Sequence, residues 1–273
     1  MASFLNVSRS SYYAWLIGIP SAHELRDREL TAQIKRIFEE KRKQYGSPRM
    51  YKELYDTEYS CARSRVARIM RENGLVGRKK RRYKVTTDSA HNYPIAPNLV
   101  NQNFSVESIN QCWISDITYI GTHEGWLYLC SILDLCSRRV IGWSMANHMR
   151  AELAIDALDM AVLHRNPPEG LIFHSDRGIQ YASTSFREKL KSYKMIQSMS
   201  RKGNCWDNAP AESFFSTLKM EEVYIHNKYR TREEARKSIF EYIEVFYNRQ
   251  RSHSFLDYMS PVQYEEFSLQ MVA

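Results

Sequence analysis

The sequence predicts an α/β body, a mixed sheet flanked by helices, with an all-helical region ahead of it and a C-terminal helical segment behind it. Three observations lead there. Residues 112–120, 126–135 and 139–145 are apolar, β-branched runs separated by turn residues, and behind them helix and strand patterns alternate. Residues 23–76 carry only helical periodicity, broken at Gly46 and Gly74. The 273 residues are 43% hydrophobic, which supports a sizeable core in two or three units and excludes a wholly disordered chain.

Charge separates the units. The net +8 lies entirely in the first third: residues 1–90 hold 20 Lys/Arg against 10 Asp/Glu, residues 91–200 hold 9 against 10, and residues 201–273 hold 10 against 11. A cationic module attached to a near-neutral body implies a polyanionic partner, since phosphate contacts release counterions. No apolar run approaches the ~18–20 residues of a membrane span, and the N-terminus lacks a signal-peptide pattern. A cytoplasmic protein with no membrane partner is expected. Five cysteines without a C-x-x-C pair argue against both a disulfide framework and a structural zinc site.

In the basic third, residues 23–45 read as one amphipathic helix with Leu30, Ile34, Ile37, Phe38 and Tyr45 on one stripe and Gly46 as its C-terminal cap. Pro48 suits the first turn of a second helix reaching Tyr55. Ser60 can cap a third, with Val66, Ile69 and Met70 inward, Arg63, Arg65, Arg68 and Arg71 outward, and Gly74 at its end. Two short helices around a tight turn, the second rich in arginine, outline a helix-turn-helix at about residues 44–76, although a plain bundle with a basic surface has the same periodicity. The following segment shifts the balance: Arg78, Lys79, Lys80, Arg81, Arg82 and Lys84 are six basic residues in seven. Such a run repels itself unless phosphates neutralise it. Residues 85–110, with Pro94, Pro97 and several Asn, read as a linker between the helical region, residues 1–84, and a body at residues 111–225.

Within the body, three strands are followed by a helix at 151–164, a strand at 171–174, a helix at 183–193, a short strand at 195–199 and a helix opening near Asn208. Asp207 or Asn208 can cap that last helix, with Pro210 in its first turn. In the extension, residues 226–273, Thr231 and Glu234 form a capping box ahead of a stripe of Ala235, Ile239, Tyr242, Ile243 and Phe246, and Pro261 opens a final helix. Arg249, Arg251 and His253 lie beyond the stripe, free to reach DNA or solvent.

Acidic residues in apolar strands are costly unless paired or bound to metal. Asp116 interrupts the first strand, Asp134 sits in the second, and Asp176 follows the fourth. Glu212 and Lys219 share a helix face about two turns, or ~10 Å, apart. Each carboxylate alone is more often a cap, a salt-bridge partner or a surface group than a metal ligand. Their arrangement is distinctive: 59 residues separate Asp116 from Asp176, 35 separate Asp176 from Glu212, and Lys219 lies seven after the glutamate.

The residues Trp113-x-x-Asp116-Ile117-Thr118-Tyr119-Ile120, His174-Ser175-Asp176-Arg177-Gly178-x-Gln180-Tyr181, Lys202-Gly203-Asn204-Cys205-Trp206-Asp207-Asn208-Ala209-x-Ala211-Glu212 and Tyr247-Asn248-x-x-Arg251-x-His253-Ser254 resemble those of DD(35)E transposases and integrases, most closely the IS3 family of bacterial insertion-sequence transposases. The resemblance runs over nearly the whole chain. It implies a ribonuclease-H-like body and a DNA transposase acting in the cytoplasm, nucleoid-associated when bound to DNA. Asp116, Asp176 and Glu212 would be the catalytic carboxylates and the ligands of two Mg²⁺ ions, with Mn²⁺ a substitute. Water would be the nucleophile at the element ends, and a freed 3′-OH the nucleophile in strand transfer.

Lys219 then falls at the family's basic position near the scissile phosphate, and Lys202, Asn204 and Trp206 lie on the loop where they can touch or stack on DNA. Arg63, Arg65, Arg68 and the basic run are the DNA-holding residues of the first third. Expected partners are terminal-repeat and target DNA, a second copy of the chain when two ends are synapsed, and an upstream-frame helix-turn-helix and leucine-zipper region, because the chain looks like a downstream-frame product. The rival readings are a DNA-binding regulator without catalysis and a ribonuclease H or resolvase-type nuclease; the 35-residue spacing speaks against the latter. His174 is expected to be structural or supporting rather than a metal ligand.

Overall fold

The computed structural model describes residues 8–18, 20–77, 93–226 and 228–272. Arg78, Lys79, Lys80, Arg81, Arg82 and Lys84 lie outside them. The chain divides into two compact units, Met1–Arg78 and Lys79–Ala273. Among the described residues no helix is long and apolar enough to cross a membrane.

The first unit contains α1 (Arg9–Ile17), α2 (Ala22–Glu40), α3 (Ser47–Tyr55) and α4 (Arg63–Glu72). Leu30, Ile34, Ile37 and Phe38 of α2 pack with Met50 and Leu54 of α3, Val66, Ile69 and Met70 of α4, and Tyr45 between α2 and α3. Ser21 starts α2 with a full capping box: its hydroxyl accepts from the Glu24 N–H at 3.2 Å and the Glu24 carboxylate accepts from the Ser21 N–H at 2.6 Å. Gly46 does not cap α2. The chain turns through left-handed Arg42 and Lys43 (φ 55° and 59°), and Gly46 is instead the extended residue that opens α3 ahead of Pro48. Nor does Ser60 cap α4, which begins after Ala62 with no side-chain cap.

The second unit is built on a five-stranded sheet in the order β3-β2-β1-β4-β5. Its strands are β1 (Cys112–Thr122), β2 (Gly125–Asp134), β3 (Val140–Ala146), β4 (Ile172–Ser175) and β5 (Ile196–Met199). β1, β2 and β3 pair antiparallel, whereas β4 and β5 run parallel to β1. Parallel pairing requires crossovers, and the intervening helices α5 (Ala151–Arg165), α6 (Ile179–Ala182) and α7 (Thr184–Ser192) supply them.

Both faces of the sheet are covered. On one, α5 and α7 pack Leu153, Ala157, Leu158, Phe186 and Leu190 over Trp113, Ile132 and Phe173. On the other, Phe214, Phe215 and Leu218 of α8 (Ala209–Glu221) and Ala235 and Ile239 of α9 (Arg232–Glu241) cover Ile114, Ile120 and Leu129. The expected stripe continues through Tyr242, Ile243 and Phe246 in a π-helical turn, so residues from the C-terminal segment share the core of the sheet. Thr231 accepts from the Glu234 N–H at 3.1 Å, but Glu234 returns the bond to the Arg230 N–H rather than that of Thr231.

Polar anchors fix the C-terminal segment to this body. Arg251 is buried and donates to both carboxylate oxygens of Glu221 at 2.7 and 2.8 Å, so it faces neither solvent nor a ligand. Glu265, on α10 (Pro261–Val272), receives Arg139, Arg165 and Ser137 at 2.6–2.7 Å. The Asn248 side chain pairs with both backbone groups of Val140 at 3.0 and 2.9 Å, on the outer edge of β3. The segment expected as a linker is also engaged where it is described: Val100 is core, Phe104 and Val106 pack beside it, and the Pro97 carbonyl accepts from the Met199 N–H at 3.3 Å.

Gly142 explains how closely α5 lies on the sheet. A Cβ there would stand 2.4 Å from the Ala157 carbonyl oxygen and 2.7 Å from the Ala161 methyl. Replacing Gly142 with Ala must push α5 off the sheet and is expected to cost about 1–3 kcal/mol. A lowered urea midpoint with an unchanged m-value is the expected signature; wild-type stability would contradict the packing.

Candidate active site

Strand pairing sets the first two carboxylates side by side. Ser115 on β1 is the parallel partner of Ser175 on β4, and each is followed immediately by an aspartate, Asp116 and Asp176. Adjacent strands lie ~4.8 Å apart, so the two acids occupy neighbouring chains where β4 ends and β1 continues. Alternation along β1 puts Asp116 on the Ile114 face, the one covered by α8. Glu212 stands in the first turn of α8. Backbone donors hold the aspartates: the Ile117 N–H donates to Asp116 Oδ1 at 2.8 Å and the Gly178 N–H to Asp176 Oδ1 at 2.9 Å.

The acids act on one another. Burial pushes the Asp116 carboxyl well above its ordinary value, the charges of Asp176 and Glu212 push it further, and the Ile117 N–H and Lys219 oppose the rise. Burial and then Asp176 raise Glu212. Lys219 is lowered by burial against the attraction of Asp116, and its ammonium sits 5.0 Å from the Tyr119 ring centroid. Among the described residues no three His, Cys, Asp or Glu side chains are gathered closely enough to hold a metal ion. The three acids nonetheless act on one another through their charges. Their donor chemistry suits a hard divalent cation, being all carboxylate oxygen and mutually repulsive.

Neutral groups brace the site from behind. On the opposite face of β1, the Ser115 hydroxyl lies 2.8 Å from the Tyr181 hydroxyl and donates to the Ser131 carbonyl at 3.0 Å. Asn208 Nδ2 donates to the Ser115 carbonyl at 3.3 Å, tying the start of α8 to the strand bearing Asp116. His174 is fully buried between the Ser198 hydroxyl at 2.8 Å and the Asp207 carbonyl at 3.0 Å. Burial lowers it to about 4, so it stays neutral at physiological pH. Asp134 is equally buried but turns its oxygens to the N–H groups of Asn110, Cys136 and Ser137 at 2.7–3.0 Å.

The loop into α8 is closed by a clamp. Neither Asp207 nor Asn208 caps the helix with its side chain. Asp207, fully buried, instead receives the Arg201 backbone N–H and two guanidinium nitrogens at 2.7–2.9 Å, together with Asn98 and Gln102 at 2.9 Å. Five donors on one carboxylate pinch residues 201–207 into a loop that turns at Gly203 (φ +71°). Lys202 and Trp206 face outward, Trp206 71% exposed, and Asn204 accepts from the Trp206 N–H at 3.1 Å.

The chain matches the Integrase core domain models over residues 107–205 and 212–269 and the HTH-like domain model over residues 24–83. It is 40% identical over 272 residues to the transposase InsF of insertion sequence IS3A from Escherichia coli K12, covering 98% of this chain and 94% of that protein. The chain belongs to the IS3 family of insertion-sequence transposases. A 31 kDa protein of insertion element IS600 from Shigella sonnei is 44% identical over the full length of both chains. Among solved structures, a chain of the simian T-cell lymphotropic virus intasome in complex with PP2A regulatory subunit B56 gamma superposes with a TM-score of 0.50 at 16% identity, over 81% of this chain and 70% of that one, a likeness of fold.

In this transposase the arginines of α4 divide. Arg65 and Arg68 donate to the two oxygens of Asp27 on α2 at 2.7 and 2.6 Å, and Arg68 also reaches Glu72 at 3.0 Å. They knit α2 to α4 instead of standing outward, whereas Arg63 is exposed. Asn98, Gln102 and Arg201 were not expected at the site. Their signal is the buried Asp207, which lies over 100 residues from two of its donors.

Arg201 and its co-donors hold the Asp207 carboxyl well below the usual carboxylate range. A depressed pKa contributes stability that is present above the unfolded value, near 4, and is lost as pH falls through and below it. Asp207→Ala is expected to cost about 2–3 kcal/mol at pH 7 and to weaken the acid dependence of unfolding below about pH 4. Denaturant titrations at pH 7 and pH 3 test this; an identical stability loss at both would contradict it.

Proposed function

We propose that the transposase cuts DNA at the ends of its element and joins the freed 3′-OH to target DNA, using Asp116, Asp176 and Glu212 as its catalytic carboxylates. The observation that carries this reading is the pairing of Ser115 with Ser175, which sets the two aspartates on neighbouring strands beneath the helix bearing Glu212. Phosphodiester exchange by in-line displacement needs a held nucleophile, a held scissile phosphate and relief of charge on the leaving oxygen.

The carboxylates would hold two divalent cations, Mg²⁺ or Mn²⁺, with Asp116 as the shared ligand and Asp176 and Glu212 each completing one site. When bound, the cations supply Lewis-acid stabilisation of the attacking and leaving oxygens. Burial raises the Asp116 and Glu212 pKa values and the charge of Asp176 raises them further, a repulsion that a bound cation would relieve.

Lys219, half-buried beside Asp116, would orient a phosphate oxygen of terminal DNA. Lys202, Asn204 and Trp206, displayed by the Arg201–Asp207 clamp, would grip or stack on the strand leaving the site. In the helical region, residues 1–84, Arg63 and the basic run of Arg78, Lys79, Lys80, Arg81, Arg82 and Lys84 would hold the duplex, with Arg65 and Arg68 keeping α4 in place. Residues 85–110 would join that region to a catalytic body at 111–225 and an extension at 226–273. Two copies would synapse two ends, with an upstream-frame helix-turn-helix and zipper segment as partner.

Incubation with labelled terminal-repeat DNA and Mg²⁺ tests the reading. Asp116→Asn, Asp176→Asn and Glu212→Gln are each expected to reduce nicking and joining by about 10³-fold or more at unchanged circular dichroism. Equal activity in Asp116→Asn, or no 3′-end chemistry in the wild type, would overturn it. Alanine at Arg78, Lys79, Lys80, Arg81 and Arg82 is expected to flatten the log Kd against log salt slope by up to about 4; an unchanged slope removes the run from the DNA contact.

A further inference from the structure

Beyond Asp116 the sheet leaves an aromatic surface exposed. β4 ends opposite Ser115, and the margin of β1 is next met at Thr122, by Tyr229. Tyr119 and Gly121 stand an odd number of steps from Asp116, so both lie on the face of β1 opposite α8. Trp126 opens β2 as the antiparallel partner of Gly121 and is 52% exposed. Its ring meets that of Tyr119 edge-on, with centroids 5.0 Å apart at 80°. A Cβ on Gly121 would stand 3.5 Å from the Trp126 indole and 3.7 Å from Lys228 Cε, so the indole and the Lys228 stem lie over the same glycine.

Cations flank the exposed ring. Lys219 comes from α8 on the other face and reaches Tyr119 past the open margin of β1, its ammonium 5.0 Å from the ring centroid. Lys228 closes the Gly121 end. Arg232 donates through Nε to the Trp126 carbonyl at 3.1 Å and through its backbone N–H to the Glu124 carboxylate at 2.8 Å, which fixes the turn from which the indole projects. Among the described residues neither Lys219 nor Lys228 has a carboxylate within ion-pair distance, whereas Arg139, Arg165, Lys189 and Arg251 of the same unit do. An exposed indole between ammonium groups that no carboxylate neutralises suits a polyanion with planar rings better than an apolar partner.

We propose that Trp126 is a stacking platform for an unpaired base of DNA, with Lys219 and Lys228 on the flanking phosphates and Tyr119 bracing the indole. The base must be unpaired, because within a duplex both of its faces are already stacked on neighbours. Along β1, Tyr119 and Gly121 stand ~10 and ~17 Å from Asp116. At ~3.4 Å per nucleotide, the platform takes a base about three to five positions from the phosphate held at the carboxylates. That placement rests on the proposed catalytic site, whereas the stacking itself needs neither metal nor catalysis.

The probe is a short oligothymidylate carrying one photoreactive 5-iodouracil, mixed with the full chain without divalent cation. Irradiation is expected to join the iodouracil saturably to the peptide containing Trp126, with a yield about tenfold or more lower when the same base is paired in a duplex. Lys228→Met should raise the half-saturating strand concentration about threefold or more at low salt, and less at high salt. Tyr119→Leu, which keeps the indole but removes its brace, should cut the yield at Trp126, and Tyr119→Phe should restore it. No crosslink at the Trp126 peptide, equal yields from paired and unpaired iodouracil, or binding indifferent to Lys228→Met and Tyr119→Leu would each overturn the proposal. So would a lower oligomeric mass of Trp126→Leu by light scattering, which would give the platform to a second copy of the chain. A wild type that crosslinks at Trp126 but never nicks DNA would overturn the catalytic reading and leave the platform standing.

Discussion

The site depends on the alignment of β1 with β4. The antiparallel hairpin of β1 and β2 could form from local sequence alone, but β4 arrives after α5 and joins in parallel, each of its residues pairing with a β1 residue 60 positions earlier. A slip of one residue would turn every side chain of β4 to the other face and move Asp176 away from Asp116. Burial resists that slip: Phe173 faces Trp113 and Phe186, and His174 reaches Ser198 and the Asp207 carbonyl. The apolar and neutral polar neighbours of β4 therefore hold in place the carboxylate that follows the strand.

A second constraint acts on α8. The helix must deliver Glu212 to the same end of the sheet, yet it begins without a side-chain cap. Its start is fixed by tertiary bonds instead, through Asn208 to the Ser115 carbonyl and through Asp207 to Arg201, Asn98 and Gln102. A carboxylate with five donors is anchored far more firmly than an ordinary N-cap, and it also sets the shape of the loop that displays Lys202 and Trp206. One buried aspartate thus organises both the entry to the helix and the surface beside it.

Much of the fold was legible in the sequence because it is periodic. The five strands and most helices follow apolar alternation or the 3.6-residue stripe, and Ala235, Ile239, Tyr242, Ile243 and Phe246 fall inward as a stripe should. The carboxylates were legible through spacing and through their position in apolar strands. Illegible were the groups whose partners are remote in sequence. Gly46 read as the end of one helix because glycine usually ends helices, while Arg42 and Lys43 made the left-handed turn themselves. Arg251 read as a candidate surface cation because nothing local foretells Glu221, thirty residues earlier, as its buried partner. Arg65 and Arg68 looked outward on a helical wheel, but Asp27 on a neighbouring helix draws them in.

The pairing of Asn248 with Val140 has a consequence beyond local anchoring. β3 is the last strand on its side of the sheet, and its free backbone groups form a ready template for any extended chain. The Asn248 amide supplies one acceptor and one donor to a single residue, as a neighbouring strand would, and the Trp143 N–H nearby is turned to Met160 sulfur at 3.3 Å. The margin is thereby occupied from within the molecule. With the groups of Val140 and Trp143 engaged in this way, the rim is a poorer template for the unbounded addition of strand to strand.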